Sequence, residues 1–496
     1  MKPFLLALVL LAMPAYALDD AAAGRAIELA RQRLAATAAQ LSSASAPEHT
    51  AGNSWVTVPN TDQVGWTQGF FPGASWAIAD LTGNAAAAAN ADRWTRALEG
   101  QQTNTQTHDL GFKLYLSFGH AYQRTGDPYY RNVLLTAARS LASRYNPTIG
   151  AIICCDWNYP TWHQPVVVDT MMNLELLLWG AQNGGDPGWK AMALSHARKT
   201  LADVVRSDGS TYHVVDYSST GAILTRGTNQ GFSDASTWTR GQAWAIYGYT
   251  MVYRYTRDAQ MLDAAQRTAD FHLGRLGSDP IPNWDFDSGA PRQKDSSAAA
   301  AVASALYELS GYVGPAAQAR YQQAATAMLD ALASPAYLSA SGPSILLHGV
   351  GNYPAGHQVD VGLIYGDYYF IEALARRPKD AVVVVPDAGI IGPDAGPGTI
   401  DAGPSNTDAG PGNIDAGTLI DAGPGDAGPG DAGGIASDAG QVDNGGGAGA
   451  GQARSGSGCA SGGDAAALSA LAVAAHFAWR KKRAWLAALR ASRKPD

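Results

Sequence analysis

The sequence has only three cysteines in 496 residues, too few for a disulfide framework. Two of them, Cys154 and Cys155, are neighbours. Adjacent Cα atoms stand only ~3.8 Å apart, closer than ordinary disulfide geometry prefers, so the pair reads as two partly buried thiols without chemistry. Positive charge is also scarce. The 35 Lys and Arg against 43 Asp and Glu leave a net charge of -8, which gives the body no basic field and argues against nucleic acid as a partner. There is no His-Glu-x-x-His pattern, no paired-cysteine spacing and no phosphate loop, so neither a metal nor a nucleotide cofactor is expected. The acidic stretch Asp279 to Asp295, with Trp284-Asp285-Phe286-Asp287, invites a calcium reading, but its spacing is not that of an EF-hand loop. Alternating strand runs are few as well, which leaves helices to build the fold.

Composition divides the chain into four parts. Met1 to Ala17 has the form of a secretory signal peptide: Lys2, the apolar run Phe4 to Met13, then Ala15-Tyr16-Ala17 as a small-residue cleavage site. Residues 18–385, rich in Ala, Leu, Trp and Tyr, make a globular body large enough for one sizeable core. Residues 386–457 repeat Asp-Ala-Gly, as at Asp387, Asp394 and Asp401, without the strict every-third glycine of collagen. Low hydrophobicity and like charge make that stretch an extended, disordered linker. Residues 458–496 carry Cys459, an apolar stretch from Ala465 to Trp479 and the cluster Arg480-Lys481-Lys482-Arg483. A short apolar helix is expected there, marginal as a membrane span and flanked by cations that suit a cytoplasmic side.

The body offers about a dozen helical patterns, near residues 20–43, 68–82, 84–99, 109–124, 127–143, 169–182, 187–206, 237–255, 258–275, 295–312, 314–333 and 363–376. Leu81-Thr82-Gly83-Asn84, Arg124-Thr125-Gly126-Asp127-Pro128 and Asn183-Gly184-Gly185-Asp186-Pro187 each place Gly where one helix stops and Asn or Asp where the next begins. These short turns make antiparallel hairpins, and the remaining connections are long. Helices starting near 109, 169, 237 and 295 are apolar or rich in small residues, whereas their partners carry polar faces. Six helical hairpins closing in a circle, apolar helices inside, make an all-α fold, an (α/α)6 barrel. An open α-solenoid shares the same hairpin logic and remains the alternative.

In such a barrel each inner helix starts at the end where the long connections lie, so its first residues line one rim. Those residues are Trp66 and Phe70, His108 and Asp109, Asp169, and Trp238, Arg240, Gln242 and Trp244. Two carboxylates, a guanidinium, a histidine and several indoles would meet positive helix ends in one concavity, which suits an acidic sugar. Asp169 opens the stretch Thr170 to Trp179, which is apolar nearly all round and therefore enclosed. A carboxyl taken out of water there should have a raised pKa and could act as a general acid. Asp ahead of a helix is equally a common N-cap, and the same holds for Asp109. Both tryptophans of Trp238-Thr239-Arg240-Gly241-Gln242-Ala243-Trp244 could be core, and His213 and Gln230, on the connection before that helix, read alone as structural.

Several stretches carry a resemblance. His108-Asp109-Leu110-Gly111-Phe112, Val168-Asp169-Thr170-Met171-Met172-Asn173, Gln230-Gly231-Phe232, Trp238 to Trp244, Asn283-Trp284-Asp285-Phe286 and Tyr365-Gly366-Asp367-Tyr368-Tyr369 follow one another between about Trp55 and Arg377. Together they resemble the unsaturated glucuronyl hydrolases of glycoside hydrolase family 88. The resemblance implies an (α/α)6 barrel acting on a lyase-made oligosaccharide that ends in a 4,5-unsaturated uronic acid, hydrated at its vinyl ether. It implies Asp169 as general acid and base, Asp109 as the second essential carboxylate, and His108, His213, Gln230, Trp238, Arg240, Trp244 and Trp66 as residues holding the sugar. A related rhamnogalacturonyl hydrolase, or a surface protein that binds glycans without catalysis, is the alternative; a binder would not need both acids. The end of the chain, residues 458–496, resembles the myxobacterial type of C-terminal sorting tail, in which the segment serves processing and surface display; a plain membrane anchor is the alternative. A monomeric, exported protein displayed at the cell surface or outer membrane follows as an expectation, with the C-terminal segment its only membrane contact.

Overall fold

The structure is a computed structural model and describes residues 18–156, 161–289 and 293–379. The signal, linker and sorting segments expected at 1–17, 386–457 and 458–496 lie outside the described residues.

Twelve α-helices are described: α1 (Asp20–Gln40), α2 (Phe70–Thr82), α3 (Ala85–Arg96), α4 (His120–Thr125), α5 (Pro128–Ala142), α6 (Thr170–Gln182), α7 (Gly188–Asp203), α8 (Thr239–Thr256), α9 (Ala259–Arg275), α10 (Ser296–Ser310), α11 (Pro315–Leu332) and α12 (Ile364–Arg376). The turn chemistry acts as the sequence implies. Gly126 ends α4 in the left-handed region at φ 68°, Asp127 accepts the Tyr129 N–H, and Pro128 opens α5. Gly83 and Asn84 do the same between α2 and α3. The connection from α8 to α9 uses Arg257 at φ 56° where glycine is the usual choice.

The helices α2, α6, α8, α10 and α12 are buried along almost their whole length, while α3 buries only Ala91, Trp94 and Thr95. Inner helices touch in a closed circle: α2 on the segment Gly111–Gly119, that segment on α6, α6 on α8, α8 on α10, α10 on α12, and α12 back on α2. Closure makes the (α/α)6 barrel and excludes the open solenoid. The sixth hairpin pairs the first helix with the last, since α1 packs on α12 and α2.

Two features depart from expectation. The inner element expected as one α-helix over 109–124 runs as a nine-residue π-helix, Gly111–Gly119, before α4. Its first turn is held from another helix: the Phe112 N–H, one of the donors without a partner in its own helix, donates to the Asn173 side-chain oxygen of α6 at 2.9 Å. The long connections also carry four small antiparallel sheets: β1 (Ser45–Ala51) with β2 (Ser54–Pro59), β3 (Tyr145–Asn146) with β4 (Ala151–Ile152), β5 (Gln164–Val167) with β6 (Val214–Tyr217) and β7 (Ile223–Gly227), and β8 (Gly349–Asn352) with β9 (His357–Val361). Strands of two to seven residues give little period-2 signal. Among the described residues, no helix is long and apolar enough to cross a membrane.

Candidate active site

Strand β5 delivers the chain into α6, and Asp169 stands at that junction. Its backbone is already helical (φ -60°, ψ -30°) and its side chain makes no capping bond, so the N-cap reading falls. Oδ2 has no hydrogen-bond partner, and about 20% of the side chain is exposed. Burial, and then the negative charge of Asp109, pushes its pKa up to about 7, with Arg240 and the Trp244 indole among the groups that oppose the rise. A carboxyl in this state holds its proton near neutrality, and its Oδ2 is not spent on a protein partner.

Asp109 precedes the π-helix and makes no capping bond either. It accepts the Thr107 hydroxyl at 2.8 Å and the Asn173 amide at 3.4 Å. Asn173 also donates to the Asp169 carbonyl at 3.4 Å, so one amide ties the two acidic segments together. Gly111 makes this possible: a Cβ there would lie 2.7 Å from the Asn173 Cα, and only a residue without one lets the π-helix approach α6 so closely.

Each carboxylate has a histidine beside it. His213 Nε2 lies 3.5 Å from Asp169 Oδ2 and His108 Nε2 lies 3.3 Å from Asp109 Oδ1. On His213, Nδ1 faces the Thr228 hydroxyl and the N–H groups of Asn229 and Gln230 at 3.2 to 3.4 Å. Accepting those bonds puts its proton on Nε2, toward Asp169. Burial, then the charge of Arg240, holds His213 down at about 3. His108 Nδ1 pairs with the Thr170 hydroxyl at 2.7 Å and burial lowers its pKa also. Both rings are therefore neutral donors rather than competing cations.

These groups line a cavity of about 230 Å³, together with Trp66 and Gln230. No protein-family model matches the chain. An unsaturated glucuronyl hydrolase of Formosa agariphila is 44% identical over 331 residues, covering 64% of this chain and 81% of its own. The chain belongs to the unsaturated glucuronyl hydrolases. It is thus a glycoside hydrolase. A crystal structure of an unsaturated glucuronyl hydrolase specific for heparin superposes with a TM-score of 0.69 at 38% identity, over 72% of this chain and 97% of that one. An Asp-to-Asn variant from Streptococcus agalactiae, complexed with dGlcA-GalNAc6S, superposes with a TM-score of 0.63 at 29% identity, over 73% of this chain and 92% of that one.

Of the residues singled out in the sequence, Asp109, Asp169, His108, His213, Gln230 and Trp66 come together around this cavity. Trp238, Arg240 and Trp244 stand behind the cavity instead of lining it. Trp238 stacks on His213 with centroids 4.5 Å apart, and Trp244 packs on Phe112 and Tyr369. Arg240 is 1% exposed and already engaged: it donates to the carbonyls of Val350 and Gly351 and faces Asp295 at 3.4 Å. Its terminal nitrogens are thus turned to the protein, Nη2 also facing the Gln230 side-chain oxygen at 3.5 Å, while the buried Nε has no partner. Phe70 is core. Gln242 spends its amide on the carbonyls of Gly209 and Thr268.

Three features were not foreseen. Thr170 and Asn173 orient His108 and Asp109, and their signal was two polar residues among the enclosed positions of α6, where each must find a partner. Cys154 and Cys155, expected as inert thiols, are joined by a disulfide and line the cavity. Regular strand alternation would send adjacent side chains to opposite faces, but β4 stops at Ile152 and both sulfurs turn to the same side. The acidic stretch braces a loop: Asp285 accepts the Phe232 N–H at 2.9 Å and the Ser236 hydroxyl at 2.8 Å, holding the connection that carries Gln230. No metal-binding group of three or more His, Cys, Asp or Glu occurs among the described residues.

Proposed function

We propose that the protein removes a 4,5-unsaturated uronic acid from the non-reducing end of lyase-made oligosaccharides, with Asp169 as general acid and base. The observation that carries this reading is a buried carboxyl at a helix start that caps nothing, lacks a partner at Oδ2 and is raised to about 7. Asp169 donates its proton to C4 of the vinyl ether, and positive charge develops at C5 and the ring oxygen. Asp109 lies close enough to stabilise that charge. Water adds at C5 and gives its proton to the Asp169 carboxylate, which restores the acid. The resulting hemiketal opens to a ketone, and the hemiacetal left at C1 expels the neighbouring sugar. No sugar-enzyme bond forms, and water is the only co-reactant. His108, His213, Gln230 and Trp66 hold the uronate, with Trp238, Arg240 and Trp244 supporting them from behind.

Incubation with unsaturated disaccharides from chondroitin, heparin and pectin lyases tests the reading: the ultraviolet absorbance of the conjugated double bond should disappear, and product formed in heavy water should carry deuterium at C4. Retained turnover in Asp169→Asn, or no deuterium at C4, overturns it. Residues 1–17 support export, and residues 458–496 support display at the cell surface or outer membrane of a monomeric body. Mass spectrometry of the mature C-terminus tests the processing part of this, because a retained Trp485 rules it out.

A further inference from the structure

One wall of the catalytic cavity is built from two adjacent sulfurs. Cys154 and Cys155 are bonded to each other and only 2% and 7% exposed, and both face the space that holds Asp109 and Asp169. With Val167, Val214 and the partly buried Trp162 they form a small apolar cluster separate from the barrel core. The same lining carries the polar Asp109, Asp169, His108, His213 and Gln230 and the apolar Val64, Trp66 and Phe112. The cavity therefore offers both polar and apolar surface to a bound sugar.

The backbone of the pair is held between the segments that carry the two acids. The Cys154 carbonyl accepts the His108 N–H at 3.1 Å, and the Cys154 N–H donates to the Pro165 carbonyl at 2.9 Å. Cys155 bridges to Thr107. The wall is thus tied by its backbone to the segment before Asp109 on one side and to the strand leading to Asp169 on the other. An unsaturated uronate, with its carboxylate and hydroxyls, needs the polar groups, among which the proton donor stands. The sugar attached to it, where it is a pyranose, offers a C–H face that gains by leaving water against an apolar surface such as the sulfur cluster.

We propose that the Cys154–Cys155 disulfide determines specificity for the leaving group: it is the face against which the sugar next to the unsaturated uronate packs. Substrates whose leaving group is a pyranose are favoured over those with a small alcohol. This rests on the reaction assigned above.

Two substrates with the same uronate separate the effects: an unsaturated chondroitin disaccharide and the methyl glycoside of the unsaturated uronic acid. Each is assayed with the full-length protein untreated, with the protein treated with dithiothreitol, and with the Cys154→Ser/Cys155→Ser variant. Dithiothreitol supplies two electrons and two protons, opening the bond to two thiols while it is itself oxidised to a cyclic disulfide. In the treated protein and in the variant, KM for the disaccharide should rise about tenfold relative to KM for the methyl glycoside, the scale of a lost apolar contact in a pocket. Reoxidation should restore the wild-type protein and leave the variant unchanged. A merely structural bond would shift both substrates alike; an equal shift, or none, overturns the proposal. So does alkylation of Cys154 and Cys155 in the untreated protein, which would show them unbonded. Should loss of the bond unfold the protein by circular dichroism, Val214→Ala opens the same wall with the bond intact. It should move the KM ratio in the same direction, and an unmoved ratio in that folded variant overturns the proposal. Failure of the assigned reaction would look different, because the untreated protein would then consume neither substrate.

Discussion

Replacing Asp169 by Asn separates what this acid costs the fold from what it does in the reaction. Its carboxyl is raised from 3.8 to about 7, first by burial and then by Asp109. Below pH 3.8 folded and unfolded chains both hold the proton, and the residue costs nothing electrostatically. Between 3.8 and about 7 the unfolded chain ionises while the folded one stays protonated, so stability falls as pH rises; above 7 the full penalty stands. The difference between 3.8 and about 7 corresponds to about 4 kcal/mol, an upper figure because water reaches part of the side chain. Asn does not titrate, so its own desolvation cost is the same at every pH. The stability of Asp169→Asn relative to the native protein should therefore grow by about 2 to 3 kcal/mol between pH 5 and pH 8. For a body of about 360 residues, that is a relative gain in Tm of about 3 to 4 °C. Thermal unfolding followed by circular dichroism at the two pH values measures it, alongside the complete loss of turnover. A Tm difference that stays constant, or shrinks as pH rises, refutes the assignment of a protonated, buried acid.

The same acid sets the rate profile: kcat/KM for an unsaturated disaccharide should fall about tenfold per pH unit above 7, and because His213 is held at about 3 it adds no limb between pH 5 and 9. A rate that climbs through pH 7 contradicts this. Gly111→Ala forces a Cβ to within 2.7 Å of the Asn173 Cα, so the π-helix and α6 must part. A loss of about 1 to 3 kcal/mol by denaturant titration and a fall in kcat of about 10²-fold are expected, and a variant with native kcat would show that the close approach does not set the carboxylate pair. Arg240→Met leaves Asp295 buried without its cation and strips donors from Val350 and Gly351. It should lose about 3 to 5 kcal/mol of stability; native stability with a raised KM alone would mean that the guanidinium is spent on substrate.

The barrel was legible because its evidence is local. Gly126, Asp127 and Pro128 act within a few residues of one another, and the contrast between enclosed and half-exposed helices is written in the spacing of their apolar residues. The short sheets were not legible, since β5 shows only four residues running into an apolar stretch that reads as helix entry. Trp238, Arg240 and Trp244 were legible as a cluster, but whether they face a ligand or stand behind it depends on what else reaches them. For Arg240 the answer comes from Val350 and Gly351, more than a hundred positions away.

What the chain determined by itself is the list of helices, their pairing and the two acids at helix starts, because caps, turns and periodicity act over less than about 20 residues. Tertiary structure alone decided that Asp169 is an acid and not a cap, that the 111–119 segment is a π-helix, and that Cys154 and Cys155 close on each other. Each of those outcomes turns on groups brought together from afar, as when Asn173 takes the Phe112 N–H from 61 positions along the chain. A pKa near 7 is likewise a property of an enclosure, and no stretch of sequence contains the walls that make it.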